Sequence, residues 1–186
     1  GLVEVGVGLV PGWGGCKELL VRAMTNKRRP GGPMPAIAQV FEAISTAKVA
    51  TSAAEARDMN ILREGDGITM NRRRLLADAK AKALELAKDY KPPTPPEISL
   101  PGETARAALS MAVEGFVQQG KATPHDQVVA GEVAYVLSGG ETDITKTVTE
   151  KQLMKLELEA FMRLIRQGPT LDRIEHMLTK GRPLRN

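Results

Sequence analysis

At 186 residues, with 42% hydrophobic side chains and a formal net charge of +4, the chain can build one or two small domains around a real core. Aromatic residues make up only 3%, so that core must come from Leu, Val, Ile, Ala and Met. The single cysteine excludes an internal disulfide and points to a reducing compartment, the cytoplasm. No apolar run approaches a membrane span, and the opening lacks the charged lead of a signal peptide, so a spanning or exported class is not expected.

The opening, Gly1 to Gly15, is an apolar segment carrying one acid, Glu4, followed by glycines at 6, 8, 12, 14 and 15 and by Pro11. Glycines this dense are needed where backbone approaches a ligand closely or where φ must be positive. A carboxylate ahead of such a loop can share a site with whatever the loop N–H groups contact. A dinucleotide fingerprint does not fit. Gly6 and Gly8 take its first two positions, but Pro11 falls on the third. Asn26-Lys27-Arg28-Arg29 then stands where an acid would hold a ribose. Leu2, Val3, Val5, Val7, Leu9 and Val10 are expected to lie open and promote self-association, or to hold the opening out of place.

A short helix is expected from Cys16 to about Met24, after the Gly14-Gly15 pair. Pro35 to Ala47 follows, with Ile37, Val40, Phe41 and Ile44 at helical spacing. Ser52-Ala53-Ala54-Glu55 reads as a capping box opening a helix that ends near Asn60. Ile61 to Met70 suggests a strand or hairpin turning at Glu64-Gly65-Asp66-Gly67. From Asn71 to Tyr90, Leu75, Leu76, Ala79, Ala83, Leu86 and Tyr90 mark one face of a long helix. The four prolines between Pro92 and Pro96 cannot be helical and form an extended spacer, the best domain boundary in the chain.

Four helices are expected beyond it. Gly102 to Gln119 should bury Ala105, Ala108, Leu109, Ala112, Val113 and Phe116. The next starts at Thr123-Pro124-His125-Asp126 and stops at Gly139-Gly140. A third opens on the capping box Thr149-Glu150-Lys151-Gln152 and runs to Gln167, with Leu153, Leu156, Ala160, Phe161 and Leu164 on one side. Thr170 caps the last, which ends at Gly181 and Pro183.

The order Glu4, Gly8, Pro11, Gly12, Gly14, Gly15, Leu19 resembles the second active-site segment of the crotonase (enoyl-CoA hydratase/isomerase) superfamily, P-E-I-x-x-G-x-x-P-G-x-G-G-T-Q-x-L. Val3, Cys16 and Lys17 depart from it, standing for Pro, Thr and Gln. Ser52-Ala53-Ala54-Glu55-Ala56 matches the family's S-A-x-E-A, although Met59-Asn60 replace the glycine usual before the next strand. Gly131 to Gly140 and His176 to Asn186 resemble the tail of the fused bacterial β-oxidation enzymes, which join a 3-hydroxyacyl-CoA dehydrogenase to a crotonase module. The resemblance implies a mainly α fragment: the C-terminal helical half of a crotonase-like domain over 1–90, a proline-rich linker over 91–101 and a helical tail domain over 102–186.

For function the resemblance implies part of a bifunctional fatty-acid oxidation enzyme that hydrates trans-2-enoyl-CoA and oxidises 3-hydroxyacyl-CoA with NAD. Two glutamates do the proton work in that family, and one stands at Glu4; the N–H at Gly12 helps hold the catalytic water. The other glutamate and the oxyanion donors lie upstream of residue 1, so this fragment alone is expected to be inactive. NAD belongs to a dehydrogenase domain outside these residues, and no cofactor or metal site is expected within them. Expected partners are a coenzyme A thioester, the N-terminal domains of the same chain, and a thiolase or a second copy.

The remaining candidates read as structural. Cys16 has no His near it in sequence and is not expected to be a nucleophile. His125 and His176 read as surface or capping residues, and Glu103, Glu114, Glu157 and Glu159 as solvated helix faces. Trp13 either lines the acyl pocket or packs beneath the loop. The basic clusters at Lys27–Arg29, Arg72–Arg74 and Lys180–Arg185 have no stacking aromatics, so nucleic acid is not an expected partner. Two alternatives stand beside the hydratase: a non-catalytic helical docking module, and enoyl-CoA isomerase chemistry on the same scaffold.

Overall fold

A computed structural model describes all of residues 1–186. The chain is mainly helical, and none of its helices is long and apolar enough to cross a membrane. A 3₁₀ turn over Glu4–Val7 leads into α1 (Gly15–Thr25), α2 (Met34–Ser45) and α3 (Ala53–Asp58). A second 3₁₀ turn, Arg72–Arg74, opens α4 (Leu75–Ala87). Then come β1 (Glu97–Ser99), α5 (Glu103–Gln118), α6 (Pro124–Leu137), β2 (Thr147–Thr149), α7 (Glu150–Leu164) and α8 (Gly168–Lys180).

The caps read from sequence hold where a side chain can reach the first turn. Thr123 and Asp126 exchange side-chain and backbone bonds at the start of α6, and Thr149 and Gln152 do the same for α7. Ser52 accepts from the Glu55 amide at 3.1 Å, but the Glu55 carboxylate turns to the Thr51 amide and hydroxyl instead of closing the box. Helix α8 starts at Gly168 with Gln167 as its N-cap, so Thr170 lies inside the first turn and does not cap it.

One apolar cluster runs across the proline-rich segment. Leu20 of α1, Ile37 and Ile44 of α2, Val133 and Leu137 of α6, and Leu153 and Leu164 of α7 are all fully buried within it. Helix α6 packs on α1, α2, α5 and α7, so it is the central element. The opening segment joins this core rather than lying open: Val5 and Val10 are buried, Leu2 and Leu9 pack against the cluster, and Val3 alone of the apolar six is half exposed.

Three further expectations are corrected. Residues 61–70 form no strand. They have no sheet to join, and an isolated hairpin is marginal in water. The segment is instead tied by Arg63 N–H to Asp66 at 2.8 Å and by guanidinium groups of Arg22 and Arg57 on the Ile61 and Asp66 carbonyls. Helix α4 is shorter than expected and buries none of its apolar stripe; Leu75, Leu76, Leu84 and Leu86 are all exposed. The chain offers it no partner surface. Helix α5 buries Ala105, Leu109 and Val113, while Ala108, Ala112 and Phe116 face solvent.

The proline run is extended, but its exit is structured. Strand β1 pairs antiparallel with β2, matching Glu97 to Thr149, Ile98 to Val148 and Ser99 to Thr147. Ile98, Val148 and the adjoining Leu100 are buried in the core.

Burial sorts the effect of leucine truncation. Leu20→Ala and Leu153→Ala should each cost about 2–5 kcal/mol, because both side chains are fully enclosed. Leu76→Ala and Leu86→Ala in α4 should stay within about 0.5 kcal/mol. Chemical denaturation of the four variants checks this; a large loss from either α4 change would show that α4 packs in solution.

Candidate active site

Glu4 opens the first 3₁₀ turn, and Gly8 closes it in the left-handed conformation, φ 79°. The Leu9 amide bonds back to the Glu4 carbonyl at 3.1 Å, which fixes the backbone of the acid. Its carboxylate oxygen Oε2 is buried without a hydrogen-bond partner. A buried acceptor left unpaired is rare and calls for an explanation; the Ser45 hydroxyl is the other buried side-chain group without a partner.

Gly8 is held from the far end of the chain. The Thr170 hydroxyl of α8 donates to the Gly8 carbonyl at 3.0 Å, and His125 Nε2 of α6 lies 2.9 Å from the same hydroxyl. The hydroxyl has one proton and gives it to the carbonyl, so the imidazole must donate, which places its hydrogen on Nε2. A Cβ at Gly8 would fall 2.8 Å from Thr170 Oγ1 and 3.2 Å from His125 Nε2. Close approach and positive φ together require glycine there.

Gly12 accepts the Gly15 amide at 3.2 Å, while its own N–H donates to no protein group. Gly14 then N-caps α1 at φ 87° and brings no side chain to the first turn. Glu157, from the middle of α7, supplies what is missing. Its Oε2 accepts the Gly14 N–H at 2.7 Å and its Oε1 the Lys17 N–H at 2.5 Å. The Lys17 ammonium in turn bonds Glu150 at 2.6 Å and Glu18 at 3.0 Å.

Glu157 is 1% exposed, so the expectation of a solvated face is overturned. Burial raises its pKa above the ordinary carboxylate value, against the lowering effect of the Lys17 and Gly14 amides. Cys16 is fully buried, and burial, then Glu157 and Glu4, push its thiol well above the usual range. An inert cysteine follows.

His125 is likewise buried, not on the surface, and His176 is half-buried on α8. Glu103 and Glu114 are exposed as expected, and Glu159 is half-buried.

Trp13 is 99% exposed and takes φ 57°, an outlier for a bulky side chain. It does not pack beneath the loop. With Gly12, Met154, Leu158 and Phe161 it lines a mostly apolar groove of about 800 Å³, whose wall also includes Lys151 and Lys155. A second cavity, about 660 Å³, lies at the C-terminal end of α1 among Arg22, Lys27, Arg28, Arg57 and Arg63. Several of these guanidinium groups are engaged: Arg28 pairs with Glu64, and Arg22 and Arg63 both reach Glu18. No group of three or more His, Cys, Asp or Glu side chains is placed to hold a metal ion.

No family model and no solved structure matches the chain. A protein of Bacillus subtilis, provisionally named a 3-hydroxyacyl-CoA dehydrogenase, is 44% identical over 187 aligned positions, covering all of this chain and 23% of its own length. One of Rickettsia felis, provisionally named a fatty acid oxidation complex trifunctional enzyme, is 27% identical over 175 positions, 94% of this chain and 21% of that protein. The similarity is to one region of much longer proteins.

Sequence reasoning placed Glu4 and Gly12 on one loop, and the structure leaves the Oε2 of the first and the N–H of the second unpartnered. It missed Glu157, Thr170 and His125. A signal for Glu157 was present: it falls in register with Leu153, Ala160 and Leu164, the buried stripe of α7.

The His125 environment has a pH consequence. Burial, then the Arg173 charge, lower its pKa below 6.5, against the opposing pull of Asp126. The unfolded chain therefore takes up a proton that the folded chain resists. Its stabilising contribution is complete above about pH 6.5 and is lost as pH falls toward the folded-state value. Thermal melts between pH 7.5 and 5.5 should show a shallower loss of stability in His125→Gln than in the wild type, the difference bounded by about 1.4 kcal/mol per pH unit. Parallel slopes would refute the assignment.

Proposed function

We propose that the chain is the part of a fatty-acid oxidation enzyme that carries the second half of an enoyl-CoA hydratase site, built on a crotonase-like scaffold. Glu4 is its general acid/base and the Gly12 N–H its water-holding donor. The observation that carries this reading is the Glu4-to-Leu19 register, folded so that the Glu4 Oε2 and the Gly12 N–H both lack protein partners. The names of the two longer relatives agree with a place in fatty-acid oxidation.

Hydration of a conjugated thioester needs a group to take a proton from water as its oxygen bonds the β-carbon, and one to deliver a proton to the α-carbon. Glu4 is one of these groups. The other, with the donors for the developing enolate oxygen, belongs to sequence beyond these residues, and so does the NAD-dependent oxidation of the product. The residues here do not fit NAD: Gly6 and Gly8 lie on and at the end of a 3₁₀ turn, not between a strand and a helix. The apolar groove beside Gly12 suits the acyl chain of the thioester, with Trp13 as one wall.

Glu4→Gln in the intact enzyme should lower trans-2-enoyl-CoA hydration by at least about a hundredfold. Oxidation of 3-hydroxyacyl-CoA supplied directly should be unaffected. Unchanged hydration would sink the reading.

Trp13 is the single tryptophan of these 186 residues, so the difference in emission between the intact enzyme and its Trp13→Phe variant reports the groove. A long-chain acyl-CoA should shift its emission to the blue, and Leu158→Asp should abolish the shift. Emission that stays put at saturating ligand with the intact enzyme would remove the groove from the site.

A further inference from the structure

We propose that Glu157 and Thr170, both from the tail, are positioning residues of this site: Glu157 sets the loop that carries the Gly12 N–H, and Thr170 sets the turn that carries Glu4. The inference rests on the hydratase reading above.

The two contacts bracket the candidate loop. At its start, Thr170 holds the Gly8 carbonyl at 3.0 Å, and the neighbouring Leu9 amide holds the Glu4 carbonyl at 3.1 Å. At its end, each carboxylate oxygen of Glu157 takes one amide, Gly14 at 2.7 Å and Lys17 at 2.5 Å. The two bonds tie the Gly14 peptide to the first turn of α1 through one carboxylate. The Gly15 amide then fixes the Gly12 carbonyl at 3.2 Å. The loop at Gly12 is thereby linked to a side chain of α7 through Gly14 and Gly15.

Glu157 lies on the wall of the apolar groove, but neither tail side chain has a polar atom left free for substrate. Glu157 is 1% exposed and Thr170 fully buried, with both Glu157 oxygens and the Thr170 hydroxyl already bonded to backbone. The groups facing Glu157 are the Lys17 ammonium, the Cys16 thiol and the amides it accepts.

A carboxylate here satisfies two amides at the start of α1 that an apolar side chain of similar volume would leave without acceptors, although its neighbours in the α7 stripe are Leu153, Ala160 and Leu164. What the carboxylate adds is geometry at two amides of the loop. A misplacement of about 1 Å at a reacting group lowers a rate by up to ~100-fold, so geometry is where the effect should be read.

The test uses Glu157→Gln and Thr170→Val in the intact enzyme, with Thr170→Ser as the conservative partner. Gln keeps the shape of Glu157 but turns one acceptor into a donor facing an N–H. The expected result is a fall of about 10- to 100-fold in kcat for enoyl-CoA hydration with KM little changed. Thr170→Ser should restore the Thr170 loss. Oxidation of supplied 3-hydroxyacyl-CoA, assayed in the same preparations, should not change. On the present chain, Glu157→Gln should speed amide exchange at Gly14 and Lys17 while the amides of α6 keep their protection.

Wild-type hydration by both variants, in an enzyme that Glu4→Gln inactivates, would overturn the inference and leave the hydratase reading standing. Loss of protection throughout α1 and α6 in Glu157→Gln would also overturn it, because the residue would then serve the fold at large. Full hydration by Glu4→Gln would remove the reading and this inference together.

Discussion

Helix α1 begins on two glycines, and everything around the candidate site follows from how its first amides are satisfied. An α-helix leaves four N–H groups at its start without intrahelical acceptors, and Ser, Thr, Asp or Asn usually answers one of them locally. Gly14 has no side chain, so the acceptor must come from elsewhere in the fold. It comes from Glu157, 143 residues along the chain. That bond sets α7 against the start of α1, and Lys17 reinforces it through Glu150, two turns earlier on the same face of α7. Thr170 and His125 close the other side of the loop on Gly8. The glycine loop is therefore not a surface feature of the first ninety residues; it is enclosed by three helices of the last eighty-five.

The apolar core has the same character. Helix α6 carries Val129, Val133, Val136 and Leu137 at 2% exposure or less, and it packs against helices from both sides of the proline run. Arg173, itself buried, ties α8 to the start of α6 through Asp126 at 2.8 Å. Burial would raise the Asp126 pKa, but the Thr123 amide and the Arg173 guanidinium together hold it below its ordinary value. Helix α4 is the exception: it is amphipathic in sequence and has no apolar partner in this chain.

The parts legible in sequence were those governed by neighbouring residues. Thr123-Asp126 and Thr149-Gln152 announce the starts of α6 and α7 because a capping box is complete within four residues. Gly181 announces the end of α8 because a left-handed C-cap wants glycine. Ile37, Val40, Phe41 and Ile44 gave both the helix and its buried face. What could not be read depended on long-range partners. The periodicity of α4 is weaker than that of α2, and periodicity says only that a face exists. The 61–70 segment looked like a strand because its composition allows one; a strand also needs a neighbour. Strand β1 was missed because three residues after a proline run carry little pattern, and its pairing with β2 spans fifty residues. At the site, Glu4 and Gly12 were found through their register, whereas Glu157 looked like one more acid on a charged helix.

The choice of a distant cap over a local one has a physical reason. Gly14 sits at φ 87°, and its Cβ position would lie 3.3 Å from Met154 Sδ and 3.4 Å from Lys17 Cε. Ser or Thr at this position would meet a strained backbone and crowded space at once. A local cap is thus incompatible with the turn that Gly12, Trp13 and Gly14 make, and that turn is what leaves the Gly12 N–H unpaired. The substitute is a buried carboxylate whose raised pKa shows that desolvation outweighs the hydrogen bonds it receives. Left-handed backbone at Trp13, with its side chain in solvent, adds a further unfavourable contribution of about 1–3 kcal/mol in the same four residues. Strain at Trp13 and desolvation at Glu157 thus meet at one short turn, the cost of a helix start that no local side chain can cap.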